Sequence, residues 1–412
     1  MKEIKRDKYL NKLITKKENG LIKVVTGIKR CGKSYLLDPL FKNYLIENGV
    51  DDDHIIKLDL YERKNNKYLN PDILDEYVRS LIKDGDIYYL ILDEVQKVDD
   101  FESVLNGFLH INNLDVYVTG SNSKFLSSDI ISEFRGRGDE IRIYPLTFSE
   151  YVKGFEGTID EAWEQYITYG GLPRILSFKT EVDKSNYLKQ LFGKTYLSDI
   201  IERNNIQRID VLDCLVNCLA SSIGSLTNPN KLVKTFKSSS IKDVSINTLS
   251  NYIKCLEDSF LIEKSRRYDV KGKQYIQTPY KFYFTDIGLR NCCLNFIQQE
   301  ETHIMENIIF NELYRGYNVD IGVVEIRKGD NRKQLEIDFV CNQFNKRYYI
   351  QSALSLPTRE KTLQEERPFM SIKDNFKKII VVKDDIKSWI SEEGILIIGL
   401  KEFLLNPNSL GL

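Results

Sequence analysis

Gly27-Ile28-Lys29-Arg30-Cys31-Gly32-Lys33-Ser34 decides how this chain is read. The eight residues match G-x-x-x-x-G-K-[ST], a loop whose backbone N–H groups cradle phosphates. Residues 21–26 before it are apolar and predict a strand; residues 34–48 after it predict a helix. Glycine lets the chain curl, and a helix that begins at the loop offers its positive dipole end to the phosphates. Lys33 is expected to reach the β- and γ-phosphates, and the Ser34 hydroxyl to ligate Mg²⁺. A glycine-bearing turn before a helix is the plainer alternative. The flanking strand and helix favour the phosphate loop.

Working outward, apolar strands and amphipathic helices alternate up to residue 145, the pattern of a parallel sheet with crossover helices. Residues 55–60 and 88–92 read as strands and 71–84 as a helix. The run 88–92 is continuously apolar, as in a strand buried on both faces, and ends in Asp93-Glu94. Asp93 stands where a carboxylate holds Mg²⁺, and Glu94 where one polarises the attacking water. Two solvated acids at a strand end would look the same in isolation.

A further strand, 114–119, runs into Gly120-Ser121-Asn122-Ser123. Polar residues at the carboxyl end of such a strand face the ligand crevice. Asn122 or Ser121 is therefore expected to sense the γ-phosphate or orient the water, although an ordinary helix N-cap has the same composition. Phe134-Arg135-Gly136-Arg137-Gly138 follows. The planar, always-charged fork of arginine suits phosphate. Arg137, with Arg135 second, is expected to complete the charge clamp in cis or from a neighbouring subunit. A solvated basic loop is the alternative.

A chain of 412 residues has room for two to three domains. Its 59 basic and 60 acidic residues leave a net charge of -1, so the overall balance does not argue for nucleic acid and any basic surface is local. Three histidines, and cysteines without C-x-x-C spacing, argue against a zinc centre and for reduced thiols. The amino end lacks an apolar signal core, and no apolar run reaches a membrane-spanning length. The expectation is a cytoplasmic protein with no membrane partner.

Together, the loop with Lys29 and Arg30 inside it, Leu92-Asp93-Glu94-Val95-Gln96, Thr119-Gly120-Ser121-Asn122-Ser123, the Gly-Arg-Gly stretch and Tyr144-Pro145-Leu146-Thr147-Phe148-Ser149-Glu150-Tyr151 resemble prokaryotic AAA-superfamily ATPases. The resemblance is to the group in which an AAA-type domain is followed by a C-terminal domain of unknown function. Tyr169-Gly170-Gly171-Leu172-Pro173, Asp199-Ile200-Ile201-Glu202-Arg203 and Glu336-Ile337-Asp338-Phe339-Val340 fit that group as well. It implies ATP bound with Mg²⁺ and hydrolysed. Contacts are then expected at Gly27, Lys29, Arg30, Cys31, Gly32, Lys33, Ser34 and Tyr35, metal ligation at Ser34 and Asp93, and catalysis at Glu94, Asn122 and Arg137. It also implies a helical lid over residues 146–205, where Arg174 either touches a phosphate or is a plain surface arginine.

Residues 206–290 read as three helices and a hairpin, the layout of a winged helix. The hairpin is 261–268 with either 274–278 or 281–285. Duplex DNA is the partner this layout suggests, through residues 245–285, with Lys254 on the third helix and Lys264, Arg266, Arg267, Lys271 and Lys273 around the wing. A winged helix used only for packing is the alternative, and Glu257, Asp258 and Glu263 dilute the positive field.

Residues 291–412 resemble the restriction-endonuclease-like fold, with Glu306 on a helix and Asp338 on a strand. Where E-x-K is required, Gln351-Ser352-Ala353 stands, so the domain reads as nuclease-like in shape and inactive. The expected architecture is thus α/β: a P-loop NTPase parallel sheet (1–145), a lid (146–205), a winged helix (206–290) and a small endonuclease-like domain (291–412). The function expected is an AAA-type ATPase that drives rearrangement of its C-terminal domains, as a homo-oligomer if the arginine acts between subunits. The alternatives are a nucleotide-switched DNA-binding protein without turnover and a metal-dependent nuclease.

Overall fold

The computed structural model describes residues 3–120, 136–238, 241, 243–297, 300–328, 331–406 and 408–409. The chain divides into two units. The first comprises Met1–Pro145, Leu172–Arg174 and Asp258–Phe260; the second comprises Leu146–Gly171, Ile175–Glu257 and Leu261–Leu412. None of the seven cysteines forms a disulfide.

Five strands build the first unit: β1 (Ile22–Thr26), β2 (Ile55–Asp59), β3 (Tyr88–Asp93), β4 (Leu114–Thr119) and β5 (Gly138–Arg142). Their order is β2-β3-β4-β1-β5 and every pairing is parallel. This is the α/β architecture that the alternating sequence predicts. β1 and residues 88–92 of β3 are buried throughout, as strands covered on both faces must be. On one face the helices Pro71–Leu81 and Phe101–Phe108 press Leu74, Val78, Leu105 and Phe108 onto Leu58, Leu90 and Val116. The first of these helices starts where its sequence dictates. The Asn70 side-chain oxygen accepts the N–H groups of Asp72 (3.0 Å) and Ile73 (3.1 Å), and Pro71 occupies the first turn. Register sets Leu92 beside Val118 and Val25 beside Thr119, so the carboxyl ends of β3, β4 and β1 form one row.

Two elements depart from the sequence reading. The helix after the phosphate loop is not continuous. It runs Lys33–Tyr35, passes through a stretch of wider turns at Leu36–Phe41, and resumes at Lys42–Glu47. Asp38 leaves the helical region (φ -143°, ψ 115°) because a residue before proline is sterically excluded from it, and Pro39 has no N–H to give. β5 was not anticipated, since Gly138-Asp139-Glu140-Ile141-Arg142 is polar. It is an edge strand, and only Ile141 is buried.

The second unit opens with helices, including Phe148–Gly154 and Ile159–Tyr169. Each is started by a reciprocal capping box, Thr147 with Glu150 and Thr158 with Glu161. Ile209–Ser221, Pro229–Ser238 and Ile246–Asp258 follow. A mixed sheet then uses β6 (Ile262–Asp269), β7 (Gln274–Phe284), β8 (Asn318–Lys328), β9 (Asn331–Gln343), β10 (Lys346–Ala353), β11 (Lys377–Val382), β12 (Trp389–Ile390) and β13 (Leu396–Gly399). The order is β12-β13-β11-β10-β9-β8-β6-β7. The hairpin β6–β7 is therefore part of this sheet, with Arg267–Asp269 paired in parallel to Ile321–Val323 of β8. β7 is one strand spanning both segments that the sequence left as alternatives. Pro279 is tolerated within it because β7 lies at the sheet edge.

Candidate functional site

The phosphate loop is shaped by close approach. Gly27 (φ 137°) has no room for a side chain, because a Cβ there would run into the Ile143 carbonyl oxygen. Arg30 (φ 65°) and Gly32 (φ 103°) are left-handed, the backbone form that turns successive N–H groups toward an anion. The helix begins at Lys33. Lys33 is 5% exposed, and its ammonium donates to the carbonyls of Gly27 (3.0 Å) and Ile28 (3.2 Å), so the charge lies along the loop. Ser34, Tyr35 and Arg30 are exposed and Lys29 is half-buried. The Cys31 side chain turns inward, its thiol 3.7 Å from the Ile143 carbonyl, so its main chain is the part left to the loop.

Sequence reasoning missed the residue that clamps this loop. Arg6, 6% exposed, donates to the carbonyls of Cys31 (3.3 Å) and Tyr144 (2.6 Å), and lies over the Tyr9 ring. No local motif marks it; only the fold brings residue 6 to residue 31.

At the end of β3, Asp93 accepts a hydrogen bond from the Thr119 hydroxyl at the end of β4. The same Thr119 oxygen accepts the Glu94 N–H at 2.8 Å. Glu94 is left-handed (φ 58°, ψ 49°), a conformation that costs a non-glycine residue roughly 1–3 kcal/mol and is held by its surroundings. The Gln96 amide donates to the Glu94 carboxylate. Thr119 and Gln96 are thus the residues that fix the two acids; both lie in the motif stretches, but the sequence assigned neither a role. Gly120 donates to the Val25 carbonyl (3.1 Å), which places this corner beside the start of the phosphate loop.

Asn122, Ser121 and Arg135 lie outside the described residues. Arg137 is described and exposed, at the other end of the sheet. Its carbonyl accepts the Ile22 N–H (2.9 Å) at the start of β1, whereas the phosphate loop leaves the end of β1. Five residues of strand, roughly 16 Å, separate those ends. The structure does not bring Arg137 to its own chain's phosphate loop. Leu172–Arg174 group with the first unit, and the Pro173 ring stands 3.9 Å from where a Gly32 Cβ would be. Arg174 follows directly and is exposed.

The neighbouring Gly170-Gly171 pair is explained within the second unit. Gly170 (φ 77°) has no space for a Cβ, which would meet the Asp286 carboxylate, and Asp286 accepts the N–H groups of Gly171 (2.8 Å) and Leu289 (3.1 Å). Burial pushes the Asp286 carboxyl up to about 6, against those donors, which favour its charged form. Between about pH 4 and 6 the folded chain therefore holds a proton here that the unfolded chain has released, so this group stabilises least above pH 6. Asp286→Asn is expected to remove that dependence. The stability difference between wild type and variant should shift by about 2 kcal/mol from pH 4 to pH 7, against the wild type, in denaturation curves.

Glu306 and Asp338 also come together, with a cation that sequence reasoning did not foresee. Lys281 on β7 is 4% exposed and contacts Glu306 (2.8 Å) and Glu336 (2.8 Å). The Tyr283 hydroxyl donates to Glu306 (2.7 Å). Asp338 accepts the Ser352 N–H (2.8 Å), and its own N–H meets the Gln351 side-chain oxygen at 3.3 Å. Burial opposes the Lys281 charge, but Glu306, Asp338 and Glu336 outweigh it and raise its pKa. Burial, then the Glu306 charge, pushes Asp338 up to about 8. The ammonium of Lys281 thus lies between Glu306 and Glu336, tied to both. Its signal was a lysine inside the apolar run Lys281-Phe282-Tyr283-Phe284.

A family model described as an AAA domain matches residues 19–152, and one described as a domain of unknown function (DUF8612) matches residues 160–300. The chain is 32% identical over 386 residues to an uncharacterized protein of Haemophilus influenzae, covering 92% of this chain and 93% of that protein. An uncharacterized protein of Methanocaldococcus jannaschii is 28% identical over 342 residues, covering 79% and 73%. Among solved structures, the Aeropyrum pernix ORC1 protein in complex with DNA aligns with TM-score 0.29 and 10% identity, over 73% of this chain and 93% of that one. AMPPCP-bound DnaA from Aquifex aeolicus aligns with TM-score 0.31 and 16% identity, over 62% and 89%. Both structural likenesses are distant and say nothing of what this chain binds. Among the described residues no helix is long and apolar enough to cross a membrane. With a relative this similar along almost its whole length and both models in sequence order, the chain belongs to the family in which an AAA domain precedes this domain of unknown function.

Proposed function

We propose that this protein is an ATPase that binds ATP with Mg²⁺ on residues 27–35 and uses hydrolysis to rearrange its C-terminal half. The observation that carries the reading is the row of strand ends. The loop holding Lys33 leaves β1, Thr119 ends β4 beside it, and Thr119 grips both Asp93 and Glu94. The main chain of Gly27, Lys29, Arg30, Cys31 and Gly32 receives the phosphates, and Tyr35 borders them. The hydroxyl of Ser34 and the carboxylate of Asp93 are hard oxygen donors of the kind Mg²⁺ takes. When bound, the ion neutralises charge on the transferring phosphate. Glu94 aligns and polarises the water. Arg137 acts from a neighbouring subunit, which makes a homo-oligomer part of the proposal, and Asn122 has the sensing role expected from its sequence position.

Transmission to the second unit runs along the chain itself. Pro173 stands against Gly32, and two residues earlier Gly171 is tied to Asp286. The nuclease alternative is disfavoured by Lys281, which occupies the space between Glu306 and Glu336. A DNA partner through residues 245–285 remains in the proposal, but the helix Ile246–Asp258 offers Lys254 as its single cation, a weak basis for gripping a duplex.

The test is nucleotide affinity by calorimetry together with phosphate release. Lys33→Ala is expected to weaken ATP binding by roughly tenfold or more, the scale of one lost charge-assisted bond, and to abolish turnover. Equal affinity and equal phosphate release in both proteins would overturn the proposal.

A further inference from the structure

The hairpin β6–β7 carries a recess of about 630 Å³, lined by Lys264, Arg266, Tyr275, Ile276, Gln277, Thr278 and Tyr280. Two cations and no carboxylate line it. Each cation sits on an aromatic ring. The Arg266 guanidinium is 4.8 Å from the centre of Tyr275, and the Lys264 ammonium is 5.4 Å from that of Tyr280. Tyr275 is 52% exposed, yet its orientation is fixed, because its hydroxyl donates to Asp320 at 2.9 Å. The turn after β6 adds the exposed Lys271 and Lys273, and β9 adds the exposed Arg332 and Lys333. Opposing charge is local and engaged. Glu257 pairs with Lys264 (3.1 Å), Asp269 accepts the Lys271 and Gly272 N–H groups, Asp320 holds Tyr275, and Glu325 lies 3.9 Å from Arg332. The cations outnumber these acids, so the hairpin end is a positive patch on a chain of nearly zero net charge.

We propose that this recess binds a single-stranded nucleic acid, with bases stacked on Tyr275 and Tyr280 and the backbone phosphates met by Arg266, Lys264 and the lysines of the turn. It rests on the reading that residues 245–285 meet nucleic acid, and moves the contact from the helix to the sheet. Cation and ring alternating across one strand pair is the chemistry of a stacking platform, which accepts any base because every base has a flat face. In a duplex those faces are covered. Pairing of β6 with β8 also fixes the hairpin within the sheet, so it is not a free arm able to lie along a groove.

The experiment is fluorescence anisotropy of the full chain with a labelled mixed-sequence oligonucleotide as single-stranded DNA, as RNA of the same sequence, and as duplex DNA, at low and moderate salt. Single strands of at least one sugar type are expected to bind better than duplex, with affinity falling as salt rises. Tyr275→Ala is expected to weaken single-strand binding roughly tenfold, while Tyr275→Phe, which keeps the ring and loses only the bond to Asp320, retains most of it. Arg266→Glu provides a second loss that does not touch the ring. Duplex binding alone would overturn the recess but leave the nucleic-acid partner standing. No binding to any of the three would overturn both. Wild-type affinity in Tyr275→Ala and Arg266→Glu would overturn the recess.

Discussion

Glu94→Gln is expected to bind ATP as the wild type does and to release phosphate about 10²–10⁴-fold more slowly. Glutamine keeps the size of glutamate and its ability to pair with the Gln96 amide, and the main-chain bond to Thr119 is untouched. What disappears is the negative charge that, in the proposed mechanism, polarises the attacking water. Calorimetry should therefore show unchanged affinity beside a collapsed steady-state rate. Affinity lost in parallel with rate would mean that Glu94 shapes the pocket instead of acting on water, and an unchanged rate would remove it from the chemistry. Thr119→Val, nearly the same shape, sharpens the reading. It deletes both bonds by which one hydroxyl sets the two acids, so turnover should fall, with a stability loss of roughly 1–3 kcal/mol from the groups left unsatisfied.

Lys281→Met is expected to destabilise the second unit by about 3–5 kcal/mol, the cost of stripping a buried charge cluster of its partner. Glu306 is buried and Glu336 half-buried, and both contact this one ammonium. Without it they repel each other and Asp338. The carboxyls can escape by taking up protons, a course already begun in Asp338, whose pKa is pushed up to about 8. The folded variant should hold extra protons that its unfolded chain releases, so its deficit should grow as pH rises and shrink in acid. Urea denaturation at two pH values measures this. Adding Glu306→Gln to Lys281→Met should return part of the loss. A Lys281→Met protein as stable as wild type would show that the cluster contributes nothing to the fold.

The parts of the candidate site that are contiguous in the chain are the ones a sequence pattern can carry. Gly27–Ser34 and Asp93-Glu94 each carry their meaning within a few residues, because loop curvature and strand ends are local properties. Thr119, Arg6 and Lys281 are not among them, since each acts on residues 25 or more positions away, and only sheet register or packing makes the meeting. β5 escaped because an edge strand need not be apolar. The break at Asp38 was written plainly in Pro39 and overruled by the apolar periodicity around it. The hairpin of the expected wing was read correctly as two strands, but its parallel partner β8 lies some fifty residues downstream, beyond any local pattern.

Arg6 gives the first few residues a consequence out of proportion to their length. A polypeptide started at Leu21 would contain every residue of the phosphate motif and still lack the guanidinium that ties Cys31 to Tyr144. The shape of that loop is thus set by a residue outside the motif that names it.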